Sequence, residues 1–319
     1  METEPSLEDI RQAHERIRPF IHRTPVLTST TINRMAGGEI FFKCENFQKA
    51  GAFKIRGACN AVLSLSDEDA KRGVATHSSG NHAAALALAA RWRGIPAYVV
   101  MPESAPHVKK LAVAGYGAEI IFCRPTLEAR ERALAEVLAR TGAAFVHPYN
   151  DLRVITGQAT AAMELCDQAQ NLDVVVAPVG GGGLLSGTAV ALSLVAPKTA
   201  VIATEPEGAD DAYRSFRSGH LVPSLHPNTI ADGLLTSLGD LTFPIIQRYV
   251  KDIVLVSEES IVDAMRCLWE RMKILVEPSA AVPLGAILSG RLDVAGRQAG
   301  VIVSGGNVDL DRLPWSPRS

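Results

Sequence analysis

Asp173-Val-Val-Val-Ala-Pro-Val-Gly-Gly-Gly-Gly-Leu-Leu-Ser186 reads as a strand, a glycine turn and the start of a helix. In the strand read over 173–177, the residues after Asp173 are apolar without alternation, the pattern of a strand covered on both faces. The helix runs over 184–194. Between them, Gly180, Gly181, Gly182 and Gly183 allow the backbone to approach a ligand closely. The first turn of the helix offers unpaired N–H groups and a partial positive charge. Together they make a cup for an anion of phosphate size, completed by the N–H of Leu184. A dinucleotide fingerprint would need glycine at 185 or 186, where Leu185 and Ser186 stand. No Gly-Lys-Ser/Thr follows, so the turn is not a P-loop either. A flexible turn without a ligand is the bland alternative.

A strand buried on both faces needs neighbours of the same kind. Upstream, strands at 74–76, 97–101, 118–123 and 144–146 alternate with helices at 81–92, 106–116 and 127–140. Downstream, a helix over 154–169 precedes the glycine segment, and strands follow at 200–204, 253–256 and 300–303, with helices at 261–272 and 279–287. An N-terminal helix starts at a candidate capping box, Ser6 to Asp9. Strands separated by helices of about 10–15 residues argue for an α/β protein with parallel, doubly covered sheets. No linker and no internal repeat is visible.

Lys54 stands in Glu45-Asn-Phe-Gln-Lys-Ala-Gly-Ala-Phe-Lys-Ile-Arg-Gly-Ala58, between a short strand at 41–44 and a helix from Ile55 to Leu65. An amine at a strand-to-helix turn in apolar company has a lowered pKa, and such lysines form Schiff bases with carbonyl compounds. A lone lysine is more often an exposed residue of a first helical turn. Ser78-Ser-Gly-Asn81 joins another strand to a helix and offers hydroxyls, an amide and N–H groups for a carboxylate, or a plain N-cap loop. Ser304 ends the last strand before Gly305 and Gly306. Glu277 precedes a proline, as residues entering a helix do. Glu205, Asp210 and Asp211 cluster after a strand, as oxygen ligands or as a solvated helix start.

The totals narrow the choices. With 319 residues and a net charge of -2, the chain suits one large domain or two modest ones, and nothing favours nucleic acid. The five cysteines are odd in number, widely spaced and without CxxC, which argues for buried thiols in a reducing compartment. The N-terminus is acidic and polar, unlike a signal peptide. No apolar run nears the ~20 residues of a membrane span. A cytoplasmic protein is expected, acting on a small molecule and not at a membrane.

Five segments together resemble one family: Lys54 with its flanks, Thr76-His-Ser-Ser-Gly-Asn-His82, 178–186, Val276-Glu-Pro-Ser-Ala280 and Val303-Ser-Gly-Gly-Asn-Val308. It is the family of pyridoxal-phosphate enzymes that includes threonine/serine dehydratases, serine racemase and hydroxyaspartate ammonia-lyases. The resemblance implies the tryptophan synthase β-like fold, fold type II, with two doubly wound, mostly parallel sheets. Residues 1–72 and 147–319 would form a large domain, and 73–146 a small one. Lys54 would hold the pyridoxal 5'-phosphate, with Phe53 beside it. The four glycines and Leu184 would hold its phosphate, Asn81 its ring hydroxyl and Ser304 its pyridine nitrogen, with Glu277 nearby. Ser78, Asn81 and His82 would bind the substrate, and Ser79 matches a second acid/base of the racemases. Glu205, the Ala209 carbonyl and Asp211 would hold a divalent cation such as Mg2+. A homodimer is implied.

The implied reaction is β-elimination from a 3-hydroxy amino acid, with Lys54 removing the α-proton, to give a 2-oxo or imino acid and ammonia. Serine and threonine are the default substrates. Lys43-Cys-Glu-Asn-Phe-Gln48, His147-Pro-Tyr-Asn150 and Asp210-Asp-Ala-Tyr-Arg-Ser-Phe216 are closer to the β-hydroxyaspartate branch, and Arg130 matches a position for the second carboxylate. Tyr149 stands where racemases carry Asn, while Ser79 keeps racemisation open. Phenylserine is a further alternative. Ala52, Ala83 with Ala84, and Ala159 also depart from the common pattern. A nucleotide-binding oxidoreductase and a binding module without turnover are the rivals from other classes.

Overall fold

The structure, a computed structural model, describes residues 4–105 and 107–315. Pro106, expected to open a helix, and residues 316–319 of the expected tail lie outside the described residues. In chain order the strands are β1 Val26–Leu27, β2 Glu39–Cys44, β3 Val74–His77, β4 Ala97–Pro102, β5 Glu119–Cys123, β6 Ala144–Phe145, β7 Val174–Pro178, β8 Ala200–Pro206, β9 Asp252–Val256 and β10 Gln298–Val303. The helices are α1 Leu7–Ile17, α2 Thr30–Ala36, α3 Lys54–Leu63, α4 Asp67–Arg72, α5 Asn81–Arg93, α6 His107–Gly115, α7 Leu127–Thr141, α8 Leu152–Gln168, α9 Gly183–Val195, α10 Asp211–Ser218, α11 Thr242–Tyr249, α12 Glu258–Cys267 and α13 Pro278–Leu288.

Six strands form one sheet in the order β1-β2-β10-β7-β8-β9, parallel except for β1. The apolar run of β7 is explained by its two faces. Val174 and Val176 pack into a core with α12 and α13, and Val175 and Ala177 pack into another with α9 and Leu165 of α8. Each of the three buried valines contributes about 1.5–3 kcal/mol. The register pairs Val303 of β10 with Cys44 of β2, and Val301 with Val176 of β7. The carboxyl ends of these three neighbours therefore open on one edge, and from them issue the Lys54 segment, Ser304 and the glycine turn.

The other sheet has the order β5-β4-β3-β6 and is wholly parallel. The chain steps from β3 outward to β5 and then returns to the far side of β3. Ligands of open α/β sheets bind outside the carboxyl ends where the order reverses. Here that place lies between the segments after β3 and β6, which carry Ser78 to Asn81 and Val146 to Tyr149.

The capping box is present, with the Ser6 and Asp9 side chains each bonded to the other's backbone N–H. The helix expected over 261–272 is α12 followed by a π-turn, Leu268–Met272. All five cysteines are free, and Cys166 and Cys267 are only half-buried.

Candidate active site

Lys54 opens α3 directly after β2's connection. Its neighbour Phe53 donates its backbone N–H to the Ser304 carbonyl at 3.0 Å, and Ala52 pairs with Gly305. The segment is thus stitched to the end of β10. Lys54 Nζ donates to the Pro148 carbonyl at 2.8 Å and lies 5.2 Å from the Phe53 ring centroid. Burial pushes its pKa down to about 8, against the pull of Glu277. The exposed-lysine alternative does not hold.

The glycine turn is tight against its surroundings. A Cβ on Gly180 would lie 2.9 Å from Leu234 Cα, and one on Gly181 would lie 2.3 Å from the Tyr149 ring. Gly182 has φ +89, a backbone that side chains disfavour, and caps α9 without a side-chain acceptor. The first-turn N–H groups of α9 therefore lack a side-chain cap, as an anion cup requires. These residues fit a phosphate.

Asn81, which opens α5, reaches across to the other sheet. Its Nδ2 donates to Glu277 Oε1 at 2.8 Å, and its Oδ1 accepts from Asn307 Nδ2 at 2.9 Å. Glu277 precedes Pro278 as the N-cap residue of α13, the helix-entry position, and its carboxylate faces Asn81. Burial, with the charge of Asp232, pushes its pKa up to about 7. Gly305 has no room for a Cβ, which would lie 2.5 Å from Glu277 Oε1.

The segment after β6 closes the other side. His82 Nε2 lies 3.2 Å from the Val146 carbonyl, and a carbonyl only accepts, so Nε2 carries the proton. The opposite nitrogen, Nδ1, is buried without a partner and free to accept. Burial and the nearby Lys54 hold this ring neutral, its pKa well below the usual value. His147 accepts the Asn150 N–H on Nδ1 at 2.9 Å, stands edge-on to Tyr149, and is pushed down to about 4, chiefly by burial. Ser78 and Ser79 are half-buried after β3, and Ser78 Oγ accepts the Gly80 N–H at 3.3 Å. Arg130, on α7, is half-buried with its Nε shut off from solvent and unpartnered. Burial raises the pKa of Tyr149 and lowers that of His77, and Arg130 is near enough to oppose the first and add to the second. No ion pair with Arg130 occurs among the described residues.

Glu205 is the penultimate residue of β8, one strand beyond the glycine turn. Its oxygens accept the Ala212 and Tyr213 N–H groups at 2.9 and 2.8 Å. Burial, reinforced by Asp211, pushes its pKa up to about 9. Asp211 is raised to about 6, also by burial, and its Oδ2 is buried without a partner. Two adjacent carboxylates with a spare oxygen fit a hard dication completed by a carbonyl. Among the described residues no group of three His, Cys, Asp or Glu could hold a metal ion, so such a site needs the Ala209 carbonyl.

Two residues of the site lie in segments quoted above without a role of their own, Asn307 and Pro148, whose carbonyl is the group used. Asn307 is visible only as the residue after a glycine pair. A backbone carbonyl leaves no side-chain signal.

A lysine beside an anion cup, with groups for a ring and a carboxylate between two parallel sheets, defines a pyridoxal-phosphate fold type II architecture. The chain belongs to the pyridoxal-phosphate dependent enzymes, whose family model matches residues 17–305. It is 55% identical over 312 residues to the beta-hydroxyaspartate dehydratase of Paracoccus denitrificans, covering 98% of this chain and 99% of that protein. The crystal structure of serine racemase from Dictyostelium discoideum superposes with a TM-score of 0.93 at 51% identity, over 97% of this chain and 100% of that one. The structure of maize serine racemase superposes with a TM-score of 0.94 at 47% identity, over 96% and 94%. No helix among the described residues is long and apolar enough to cross a membrane.

Proposed function

We propose that this protein is a dehydratase of 3-hydroxy amino acids, with β-hydroxyaspartate as its preferred substrate, releasing ammonia and a 2-oxo acid. The observation that carries the reaction class is the half-buried amine of Lys54, held at the Pro148 carbonyl on a segment bonded to the end of β10 at Ser304. When bound, pyridoxal phosphate supplies an electron sink that acidifies the α-C–H of an amino acid.

The chain's own groups do the rest. Lys54 Nζ, lowered to about 8 by burial, has a far larger neutral fraction than an ordinary lysine when freed, and that form accepts the α-proton. The backbone N–H groups of Gly180 to Leu184 hold the phosphate, and Phe53 flanks the lysine. Ser78 and the N–H groups after it receive the α-carboxylate; His82, neutral and with its Nε2 proton given to Val146, offers only an acceptor and does not bind it. Asn81 and Ser304 orient the ring, and the hydroxyl of Ser304 leaves the pyridine nitrogen without a strong proton donor. That favours early departure of the β-hydroxyl. Tyr149 closes the site beside the glycine turn.

Arg130 supports the dicarboxylate. A guanidinium with a buried, unpartnered Nε beside His77, whose pKa burial lowers, suits a carboxylate brought by the ligand. Glu205, the Ala209 carbonyl and Asp211 would hold a divalent cation, Mg2+ for instance, in a structural or activating role. The two sheets support a division into a large domain, 1–72 with 147–319, and a small one, 73–146. Ammonia release from serine, threonine, both hydroxyaspartate diastereomers and phenylserine tests the substrate assignment. Turnover of serine or threonine with none of hydroxyaspartate would refute it.

Racemisation is a second reading, favoured by Ser79 in the loop before Asn81. Chiral analysis of L-serine reaction mixtures separates it: appearance of D-serine, abolished by Ser79→Ala, would establish it.

A further inference from the structure

A buried cluster of four charges lies behind the lysine. Arg56 is fully buried. Its Nε and Nη2 donate to the two oxygens of Glu45 at 2.7 and 2.8 Å. Its Nη1 and Nη2 donate to the two oxygens of Glu164 at 2.9 and 2.8 Å, and Nη1 also donates to Thr160 Oγ1 at 3.1 Å. All five guanidinium donors are used, and two carboxylates are gripped in the forked geometry. Lys43 completes a neutral set. Its three ammonium donors go to Glu164 Oε2, the Thr24 carbonyl and Gln168 Oε1 at 2.7, 2.9 and 2.8 Å.

Such a cluster needs a reason, because buried ion pairs often add little stability over apolar residues of the same volume. Its place suggests one. Arg56 follows Lys54 by two positions on α3, so the two side chains leave the helix about 200° apart. The guanidinium grips the helix from behind while the amine faces the site. Locally this end of α3 is weakly held. Phe53 provides no side-chain cap, and the Arg56 N–H bonds back only to the Phe53 carbonyl at 3.0 Å. Both of the partners Glu164 and Thr160 belong to α8.

α8 also carries α9. A Cβ on Gly187 of α9 would lie 2.6 Å from the Ile155 carbonyl, so the two helices touch backbone to backbone. On the other side, a Cβ on Gly157 would lie 2.6 Å from Gly57 Cα of α3. The helix that begins with Lys54 and the helix that begins at the glycine cup are therefore seated on one common rod.

We propose that Arg56 is a positioning residue for Lys54, fixing through Glu164 and α8 the separation between the lysine amine and the glycine cup. A ligand that bridges the two requires that separation to be constant. The inference rests on the cofactor reading above.

The test compares Arg56→Lys, which keeps the charge and loses the fork, with Ile261→Ala, a core change on α12 remote from this cluster. Cofactor dissociation constant, visible absorbance against pH, kcat and KM are measured at a temperature where both variants are folded. Arg56→Lys is expected to weaken cofactor binding at least tenfold, shift the midpoint of the absorbance titration and lower kcat with little change in KM. Ile261→Ala is expected to lower Tm alone. Equal cofactor affinity and titration midpoints in the two variants would overturn the inference, leaving Arg56 a stability residue. If Arg56→Lys does not fold, Thr160→Val removes one of the five bonds and should move the same readouts in the same direction; no movement there overturns it. A wild-type protein that takes up no pyridoxal phosphate would instead overturn the cofactor reading.

Discussion

The amine of Lys54 donates to the carbonyl of Pro148 at 2.8 Å, so a helix that follows a strand of one sheet is tied to the chain leaving the other. The bond is to a neutral acceptor. It orients the amine without adding the negative charge that would keep it protonated. Only Glu277 pulls the other way, and that carboxyl is itself raised to about 7.

The state of that amine sets how fast the empty protein takes up its cofactor. Only the neutral form attacks an aldehyde. With a pKa of about 8, uptake should rise about tenfold from pH 7 to pH 9 and then level. Absorbance after rapid mixing with pyridoxal phosphate measures it. A rate still climbing steeply above pH 10 would show an ordinary lysine.

Arg130 should separate substrates. Arg130→Leu is expected to lower kcat/KM for β-hydroxyaspartate about 100-fold, the scale of a charge-assisted pair of about 3 kcal/mol, and to leave serine within about threefold. Equal losses on both substrates would contradict the assignment of the second carboxylate to this residue.

Gly182→Ala places a side chain at φ +89, with its Cβ 2.8 Å from Thr242 Cβ. A cost of about 1–3 kcal/mol is expected. Cofactor affinity should fall by at least about tenfold, because the displaced turn is the anion cup. Retained affinity, measured by fluorescence titration, would place the phosphate elsewhere.

The carboxylate pair after β8 predicts a pH-dependent response to metal. Glu205 and Asp211 have folded pKa values, about 9 and about 6, above those of the unfolded chain. The fold therefore favours their protonated forms, and metal-free stability falls as pH rises from about 4 to 9. A dication favours the ionised forms and opposes that loss. The increase in Tm caused by Mg2+ or Ca2+ should be small at pH 6 and grow toward pH 9. A shift that is absent, or that shrinks as pH rises, contradicts the site.

Much of this was legible because parallel strands buried on both faces leave unbroken apolar runs. Val174 to Ala177 is such a run, and the glycine turn after it names its own conformation. Lys54 and Asn81 were readable because each opens a helix after a strand, and Ser304 because it directly follows one. Other parts left no such trace. α2 is seven residues long and buries only Ile32, too little for a period to show. α11 carries Pro244 within its first turns, which breaks up the pattern a helix would otherwise leave there. Lys43, Glu45, Arg56 and Glu164 meet only in three dimensions. Lys43 and Glu164 are 121 residues apart, and no local pattern marks four charges as buried.

The central claim is covalent attachment at one lysine. Borohydride reduction of the cofactor-loaded protein, followed by peptide mass mapping, tests it directly. A single pyridoxyl group on Lys54 is the predicted result. A label on any other lysine, or an unmodified Lys54 after reduction of the loaded protein, would contradict it.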